Sequence, residues 1–253
     1  MPLPVETAAT LLPEETLDTL LSGRVKIIQP RSGYRFSLDP LLLCSFAAIP
    51  ERARVADLGT GSAVIPLLLA NSGKGRELVG IELQPDAASR ARRSVALNGM
   101  EGQVTIVRAD LRELPPTLAA GSFGAVVANP PYRKPSSGRV APGEERGAAR
   151  HELSGGLPDF LRAAAFLLNN RGTFCIIYLA ERLAELLDGM RSFRLEPKRL
   201  RLVHSRVGEP ARLVLVEGRK NAGAGLCVEP PLILYGDPPG RSYHEEVRKL
   251  LGA

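Results

Sequence analysis

Apolar and polar positions alternate along the middle of the chain in the rhythm of a repeated strand–helix unit. Short apolar runs predict buried strands, and the stretches between them carry apolar residues at helical spacing. The predicted strands are 54–57, 78–83, 104–108, 123–128 and 173–179, and the predicted helices are 62–72, 85–98, 157–169 and 181–190. This order of elements requires a mostly parallel, doubly wound sheet with helices on both faces, which is an α/β fold.

Both ends of the chain depart from this rhythm. The first 50 residues predict three elements: a helix over 14–21, a strand over 24–29 and a helix over 41–48. The last part predicts four: strands over 200–203 and 213–217, paired as an antiparallel hairpin, a strand over 232–235 and a helix over 243–251. We therefore expect residues 1–50 to form a cap that contributes to the ligand site of one domain over 51–253.

The most informative motif is Asn129-Pro130-Pro131-Tyr132, directly after the strand 123–128. Two prolines prevent the strand from continuing, so a carboxamide, two carbonyls and an aromatic ring are presented at its carboxyl end. Open α/β sheets bind ligands at that edge. The Asn129 side-chain oxygen and the Pro130 carbonyl can accept both hydrogens of an exocyclic amine, and Tyr132 can stack on a base. The motif favours methyl transfer to adenine N6 over a plain proline-rich turn.

A glycine-rich turn follows the first strand of the repeat, in Asp57-Leu-Gly59-Thr-Gly61. Gly59 and Gly61 permit a tight turn and a close approach of a ligand to the backbone. Position 64 is Val, so the third glycine of a dinucleotide fingerprint is missing. The turn therefore indicates a nucleoside without phosphates, with Asp57 shaping the turn and holding the ligand's amino-acid end.

Two further carboxylates end the next strands. Glu82 is placed to accept both hydroxyls of a ribose, and Asp110 is placed to accept from an adenine amine, with Leu83 and Leu111 flanking the base. Each carboxylate alone is a common solvated strand end. In this order on successive strand ends, they predict an adenosine site.

Composition and charge narrow the partners. The 253 residues are 44% hydrophobic, enough for one substantial core, with a net charge of +6. Nine Lys or Arg lie between Arg191 and Lys220 against three Glu, which suits a phosphate-bearing partner or a solvated basic surface. Five basic residues and three glycines occupy 133–152, and we expect a lid on RNA there rather than an ordinary surface loop.

Other function classes find little support. No apolar run approaches the length of a membrane span, and the first residues have no secretory pattern. The three cysteines, Cys44, Cys175 and Cys227, are isolated in sequence, as expected of free thiols in the cytoplasm. His151, His204 and His244 are scattered, so no metal site is predicted.

The chain resembles class I S-adenosyl-L-methionine-dependent methyltransferases that methylate amino groups. More narrowly, it is similar to the bacterial tRNA adenine-N6 methyltransferases that modify the adenine beside the anticodon of valine tRNA. Besides the motifs above, the resemblance is carried by segments 33–39, 137–142, 149–152, 208–212, 215–220 and 230–235. It differs at Ser37, where relatives carry Thr or another small polar residue.

The resemblance implies a Rossmann-like fold, S-adenosyl-L-methionine as cofactor, RNA (tRNA above all) as partner, and a cytoplasmic location. It also implies that Phe36, Ser37 and Asp39 lie over the methionine end of the cofactor, although core packing is the alternative for Phe36. The catalytic set is Asn129, Pro130, Pro131 and Tyr132, which would act by positioning because methyl transfer needs no strong base beforehand.

Three alternatives remain open from the residues. A protein-glutamine methyltransferase shares Asn-Pro-Pro-Tyr, but that family carries a longer helical domain before the glycine-rich turn. A DNA or rRNA amino-methyltransferase shares the same motif. An RNA-binding module that has lost activity is the non-enzymatic alternative, and the intact Asn129, Tyr132, Glu82 and Asp110 argue against it.

Overall fold

The computed structural model describes residues 11–32, 35, 37–131, 155–236 and 242–252. The strands are β1 Glu15–Leu20, β2 Val25–Pro30, β3 Arg54–Leu58, β4 Glu77–Glu82, β5 Val104–Arg108, β6 Phe123–Ala128, β7 Leu168–Leu179, β8 Leu195–His204, β9 Ala211–Lys220, β10 Cys227–Val228 and β11 Leu232–Ile233. The α-helices are α1 Asp39–Phe46, α2 Val64–Asn71, α3 Pro85–Leu97, α4 Leu157–Leu167, α5 Leu183–Ser192 and α6 Glu245–Leu251, and Ala180–Arg182 form a 3-10 turn.

Among these residues, nine strands form one sheet in the order β10-β8-β9-β7-β6-β3-β4-β5, with β11 beside β8. The strands β3 to β7 are all parallel to their neighbours within this set. The strand order reverses direction between β3 and β6, so the crevice of this open sheet opens at their carboxyl ends. The sheet is the doubly wound, mostly parallel α/β arrangement that the strand–helix rhythm predicts, and that prediction is confirmed.

Two apolar cores cover the two faces of the sheet. On one face, α1, α2 and α3 pack against Val55 and Val127. On the other face, α4 and α5 pack against Val126 and Ala128, with Phe160 of α4 fully buried. Alternate residues of each strand therefore serve opposite cores, as the pleat requires. Asp57 has the same parity as Val55 and faces the α1–α2 side.

The predicted C-terminal hairpin is present and longer than expected. β8 and β9 pair antiparallel over ten residues each, and β9 also pairs antiparallel with β7. The short strands β10 and β11 run parallel to β8 at the edge of the sheet.

The helix predicted over 14–21 is wrong, because these residues form β1, which pairs antiparallel with β2. The β-branched Thr16 and Thr19 suit a strand. The segment alone favours neither helix nor strand clearly, so its contacts with β2 and α3 decide that it forms a strand. The hairpin is held against α3 by an ion pair between Glu15 and Arg93 and by a hydrogen bond from the Ile28 N–H to Ser94 Oγ at 3.0 Å.

Within the described ranges, every helix is too short or too polar to span a membrane.

Candidate active site

The glycine-rich turn and the Asn-Pro-Pro segment leave the sheet side by side. β3 and β6 are parallel neighbours, with Leu58 opposite Ala128. Gly59 and Asn129 are the next residues after these two strands, so the two segments begin at adjacent strand ends about 5 Å apart. Asn129 and Pro131 are half-buried and Pro130 is buried. Tyr132 and the loop over 133–152 lie outside the described residues.

The glycine-rich turn is held against β4 by its backbone. The N–H groups of Gly59 and Thr60 both donate to the carbonyl of Ile81, at 2.9 and 3.0 Å. Gly59 has a φ of +70° and Gly61 a φ of +59°, the left-handed conformation that glycine adopts without strain. Ala63 shares this conformation with a φ of +66°, at a cost of about 1–2 kcal/mol, just before α2 begins.

Glu82 ends β4 and turns its carboxylate toward the same turn. Its Oε2 accepts the Gly61 N–H at 2.9 Å and its Oε1 accepts the Gln84 N–H at 2.8 Å. The side chain is 7% exposed. Two backbone donors fix the orientation of the carboxylate while each oxygen keeps a second lone pair, so Glu82 can still accept a pair of hydroxyls.

Asp57 is a buried carboxylate at the base of the crevice, with 2% exposure. Neither of its oxygens has a hydrogen-bond partner in the described part of the chain, and the same holds for the buried hydroxyl of Thr60. The pKa of Asp57 is raised to about 7, chiefly by burial; the nearby Thr60 hydroxyl offsets part of the rise and the Glu82 carboxylate adds to it. A buried acid left without donors is a site that a bound ammonium or hydroxyl group stabilises.

Asp110 stands after β5, but its carboxylate is shared with a neighbour. Arg112 approaches it in a bidentate pair, with Nε 2.9 Å from Oδ1 and Nη2 2.6 Å from Oδ2. This arginine lowers the pKa of Asp110. An adenine amine at Asp110 would therefore bind beside Arg112 rather than to an isolated carboxylate.

The two predicted flanks of the base differ in exposure. Leu111 is 9% exposed and belongs to the core on the α4–α5 face, whereas Leu83 is half-buried. The Ala109 N–H donates to the Glu82 carbonyl at 3.0 Å, which brings the ends of β4 and β5 together. The adenine-binding roles of Leu83, Asp110 and Leu111 stay predictions.

Helix α1, from the first 50 residues, packs against α2, where the Cys44 thiol donates to the Ile65 carbonyl at 3.8 Å; the contribution of residues 1–50 to the ligand site stays a prediction. Ser37 is exposed, and its Oγ accepts the Asp39 N–H at 3.3 Å. Burial raises the pKa of the Cys44 thiol on α1, and the Asp57 carboxylate raises it further. Phe36 lies outside the described residues. The methionine-end roles of Phe36, Ser37 and Asp39 stay predictions.

Sequence reasoning missed four residues that shape this site: Thr60, Gly80, Arg112 and Phe160. A Cβ on Gly80 would lie 2.8 Å from both Cγ2 and Oγ1 of Thr60, and a Cβ on Gly59 would lie 3.3 Å from the Phe160 ring. A lone glycine inside the apolar run of β4 was the available signal for Gly80, because such a glycine marks a close approach. No comparable signal pointed to Phe160 or Arg112.

A doubly wound sheet whose switch point joins a glycine-rich turn, two buried carboxylates and an Asn-Pro-Pro segment defines a Rossmann-like methyltransferase. The cofactor of this class is S-adenosyl-L-methionine. Asp57 and Glu82 fit it chemically, because it carries an ammonium group and a pair of ribose hydroxyls. Among the described residues no group of side chains is arranged to hold a metal ion.

Comparison with known proteins agrees with this class and narrows it. Residues 39–156 match the model of the methyltransferase small domain family. A tRNA1(Val) (adenine(37)-N6)-methyltransferase of Porphyromonas gingivalis is 30% identical over 204 residues, 78% of each chain. One from Bacteroides thetaiotaomicron is 27% identical over 214 residues, 84% of this chain and 86% of that one. The chain therefore belongs to the tRNA1(Val) (adenine(37)-N6)-methyltransferase family and is an enzyme.

A solved structure also shares the fold. The crystal structure of a predicted O-methyltransferase from Agrobacterium tumefaciens superimposes with a TM-score of 0.67 and 25% sequence identity. The similarity covers 84% of this chain and 94% of that one. The Rossmann-like class I fold expected from the sequence is confirmed.

Proposed function

We propose that this enzyme methylates N6 of the adenosine at position 37 of tRNA1(Val). The observation that carries the proposal is the pairing of Leu58 with Ala128, because the glycine-rich turn and the Asn-Pro-Pro segment follow these adjacent strand ends. Membership of the family supplies the substrate. Such a substrate would place the enzyme in the cytoplasm.

The cofactor would be held by the two carboxylates of the crevice. Glu82 would accept the ribose hydroxyls, since its carboxylate is already oriented by Gly61 and Gln84. Asp57 would receive the ammonium group of the amino-acid end, which supplies the donors that its buried oxygens lack. When bound, S-adenosyl-L-methionine supplies a methyl group on a sulfonium centre.

The target base would be oriented by the segment after β6. The adenine N6 lone pair is delocalised into the ring, so N6 is a poor nucleophile until its hydrogens are held. Asn129 Oδ1 and the Pro130 carbonyl would accept these two hydrogens and direct the nitrogen's electrons into the crevice. Pro131 would keep the backbone rigid, and Tyr132 would stack on the flipped base. These contacts would strengthen as positive charge develops on N6.

The test uses unmodified tRNA1(Val) made by transcription, purified enzyme and S-adenosyl-L-methionine. Nuclease digestion and mass spectrometry should find N6-methyladenosine in the fragment that carries position 37. The matched control is the same tRNA with guanosine at position 37, which should stay unmethylated. Methylation at another position, or methylation of a glutamine-containing peptide or of rRNA in place of this tRNA, would overturn the proposal.

A further inference from the structure

Five of the nine basic residues between Arg191 and Lys220 make structural contacts. Arg199 pairs with Glu217 at 2.7 Å and with Glu229 at 2.8 Å. Arg201 holds Glu246 of α6 through both of its terminal nitrogens. Three further members also have protein partners: Arg191 with Glu196, Lys198 with the Gly223 carbonyl and Lys220 with the Leu168 carbonyl. These five cations join parts of the fold, so fewer than half of the nine basic residues are left for a ligand.

The strand register places Arg206 and Arg212 at one edge of the sheet and Arg219 at the opposite edge. Ala128 of β6 lies opposite Ile176 of β7, and Leu179 of β7 lies opposite Leu213 of β9. The turn between β8 and β9, residues 205–210, therefore leaves the sheet at the edge where Asn129 lies. At the other end of β9, Arg219 lies opposite Thr173, toward the far edge of the sheet. β9 is two strands from β6, a lateral distance of about 10 Å.

Four residues around this turn form a surface that we call the turn patch: Arg206, Val207, Arg212 and Tyr235. Val207 is 70% exposed, the largest exposure among the exposed large apolar side chains of the described residues. Arg212 is exposed and has no hydrogen-bond or ion-pair partner within the described ranges. The guanidinium of Arg206 lies 5.7 Å from the centre of the Tyr235 ring.

The turn patch is built rather than incidental. The Tyr235 N–H donates to the Ser205 carbonyl at 3.0 Å, and Arg206 Nη1 donates to the Gly236 carbonyl at 3.3 Å. Tyr235 is also stacked on Tyr243, with ring centres 5.4 Å apart. These contacts fix the position of the turn at the catalytic edge, by which we mean the edge of the sheet where Asn129 lies.

We propose that the turn patch contacts the anticodon loop beside the target adenosine and positions the tRNA over Asn129. The inference rests on the proposed function. Arg212 would bind a backbone phosphate, because its charge is exposed and unpaired. Val207 and the Arg206–Tyr235 pair would meet an unstacked base or sugar, the apolar and planar groups that single-stranded RNA loops present. A tRNA is favoured over a protein partner because the patch joins unpaired cationic charge with planar side chains.

Charge changes at two highly exposed valines provide the first test. Val207→Glu places a negative charge in the turn patch, and Val228→Glu places the same charge on β10, where Val228 is 62% exposed and lies opposite Leu200, away from the catalytic edge. Both positions are exposed enough for the variants to fold. Val207→Glu should weaken tRNA binding at least tenfold and Val207→Lys should strengthen it, whereas Val228→Glu should leave it within twofold of wild type.

Two arginines of the same strand provide the second test. Arg212→Ala should raise the KM for tRNA about three- to tenfold and flatten the log–log salt dependence of binding by about one unit. The kcat at saturating tRNA and the affinity for S-adenosyl-L-methionine should stay unchanged. Arg219→Ala removes an exposed arginine from the opposite edge and should change none of these quantities.

The outcomes separate this inference from the proposed function. If wild-type enzyme methylates position 37 and the two members of each variant pair behave alike, the turn patch does not contact tRNA and the proposed function stands. If wild-type enzyme neither binds nor methylates the tRNA, both fail. A fall in kcat with unchanged KM for Arg212→Ala would also overturn the inference, because it would indicate damage to the reacting site.

Discussion

Glu82 Oε2 accepts a hydrogen bond from the backbone N–H of Gly61 at 2.9 Å, although the two residues are 21 positions apart. This bond joins the carboxylate predicted to bind the ribose to the glycine-rich turn predicted to admit the cofactor. The turn is therefore held by the same side chain that is predicted to bind the ribose. Removing the carboxylate would affect both the contacts to the ribose and the order of the turn.

Glu82→Ala should weaken S-adenosyl-L-methionine binding by about 2–4 kcal/mol, because paired charge-assisted hydrogen bonds are lost. Isothermal calorimetry on the purified protein measures the effect. Glu77→Ala is a matched control, since Glu77 begins the same strand at its other end and pairs with Arg54. Equal affinity in the wild type and Glu82→Ala would contradict the ribose assignment.

The affinity for S-adenosyl-L-methionine should fall as the pH drops below about 7. The pKa of Asp57 is raised to about 7 by burial, so its carboxyl is neutral in acid, whereas the cofactor's ammonium prefers the ionised form. Affinity should decrease toward tenfold per pH unit below this pKa and level off near pH 8. Calorimetry between pH 5.5 and 8 checks it, and Asp57→Asn should bind weakly at every pH without that slope.

Asp57→Asn should also make the protein without cofactor more stable at pH 8. Because the pKa of Asp57 is higher in the folded than in the unfolded chain, the folded state binds more protons between about pH 4 and 7. Asp57 therefore makes the folded wild type less stable as the pH rises from about 4 to 7. The variant avoids roughly 2–4 kcal/mol of this destabilisation. Denaturant unfolding at pH 8 and pH 4 measures it. A variant less stable than wild type at pH 8 would mean that the ionised carboxylate has protein partners.

Gly80→Ala should displace the glycine-rich turn through a clash with Thr60. The added Cβ would lie 2.8 Å from Thr60 and 2.9 Å from Ile106 Cδ1, distances too short without a shift of the turn. We expect a loss of about 1–3 kcal/mol in stability and a weaker affinity for the cofactor. Gly124→Ala is the matched control, because a Cβ on this glycine of β6 meets only ordinary contacts, with Ala53 Cβ at 3.5 Å. Similar effects of both changes would show that the turn does not depend on Gly80.

The central strands were predictable because each is a short, buried apolar run bounded by turn residues. The prediction of 104–108 and 123–128 matches β5 and β6 to the residue, and 54–57 ends one residue short of β3. β1 was missed because Glu15–Leu20 is set by its partner strand and by the contact of Glu15 with Arg93 on α3. Such partners lie far along the chain, so local patterning cannot identify them.

The placement of the candidate site residues was predictable for those at strand ends and less so for those whose side chains pair with distant residues. The order of Asp57, Glu82 and Asn129 places all three at one edge of a parallel sheet, which the sequence pattern alone implies. The pairing of Asp110 with Arg112 and the partners of Arg199 and Arg201 required the tertiary structure. The basic stretch therefore indicated more phosphate-binding surface than the fold leaves available.

Asn129→Ala should nearly abolish methylation while leaving S-adenosyl-L-methionine binding mostly intact. The carboxamide is proposed to hold the reacting amine, and its hydrogen bonds should strengthen as N6 becomes positive, so the single-turnover rate should fall about 10²–10³-fold. Tyr132→Ala should instead weaken capture of the base by about 1–3 kcal/mol, and Tyr132→Phe should retain much of the activity because it keeps the ring. Single-turnover rates on tRNA1(Val), combined with calorimetry for the cofactor, separate these effects. Asn170→Ala serves as a control, because Asn170 is an exposed asparagine near the start of β7, at the edge of the sheet away from Asn129. A near wild-type rate for Asn129→Ala would mean that Asn129-Pro130-Pro131-Tyr132 is a turn without a role in activating the amine.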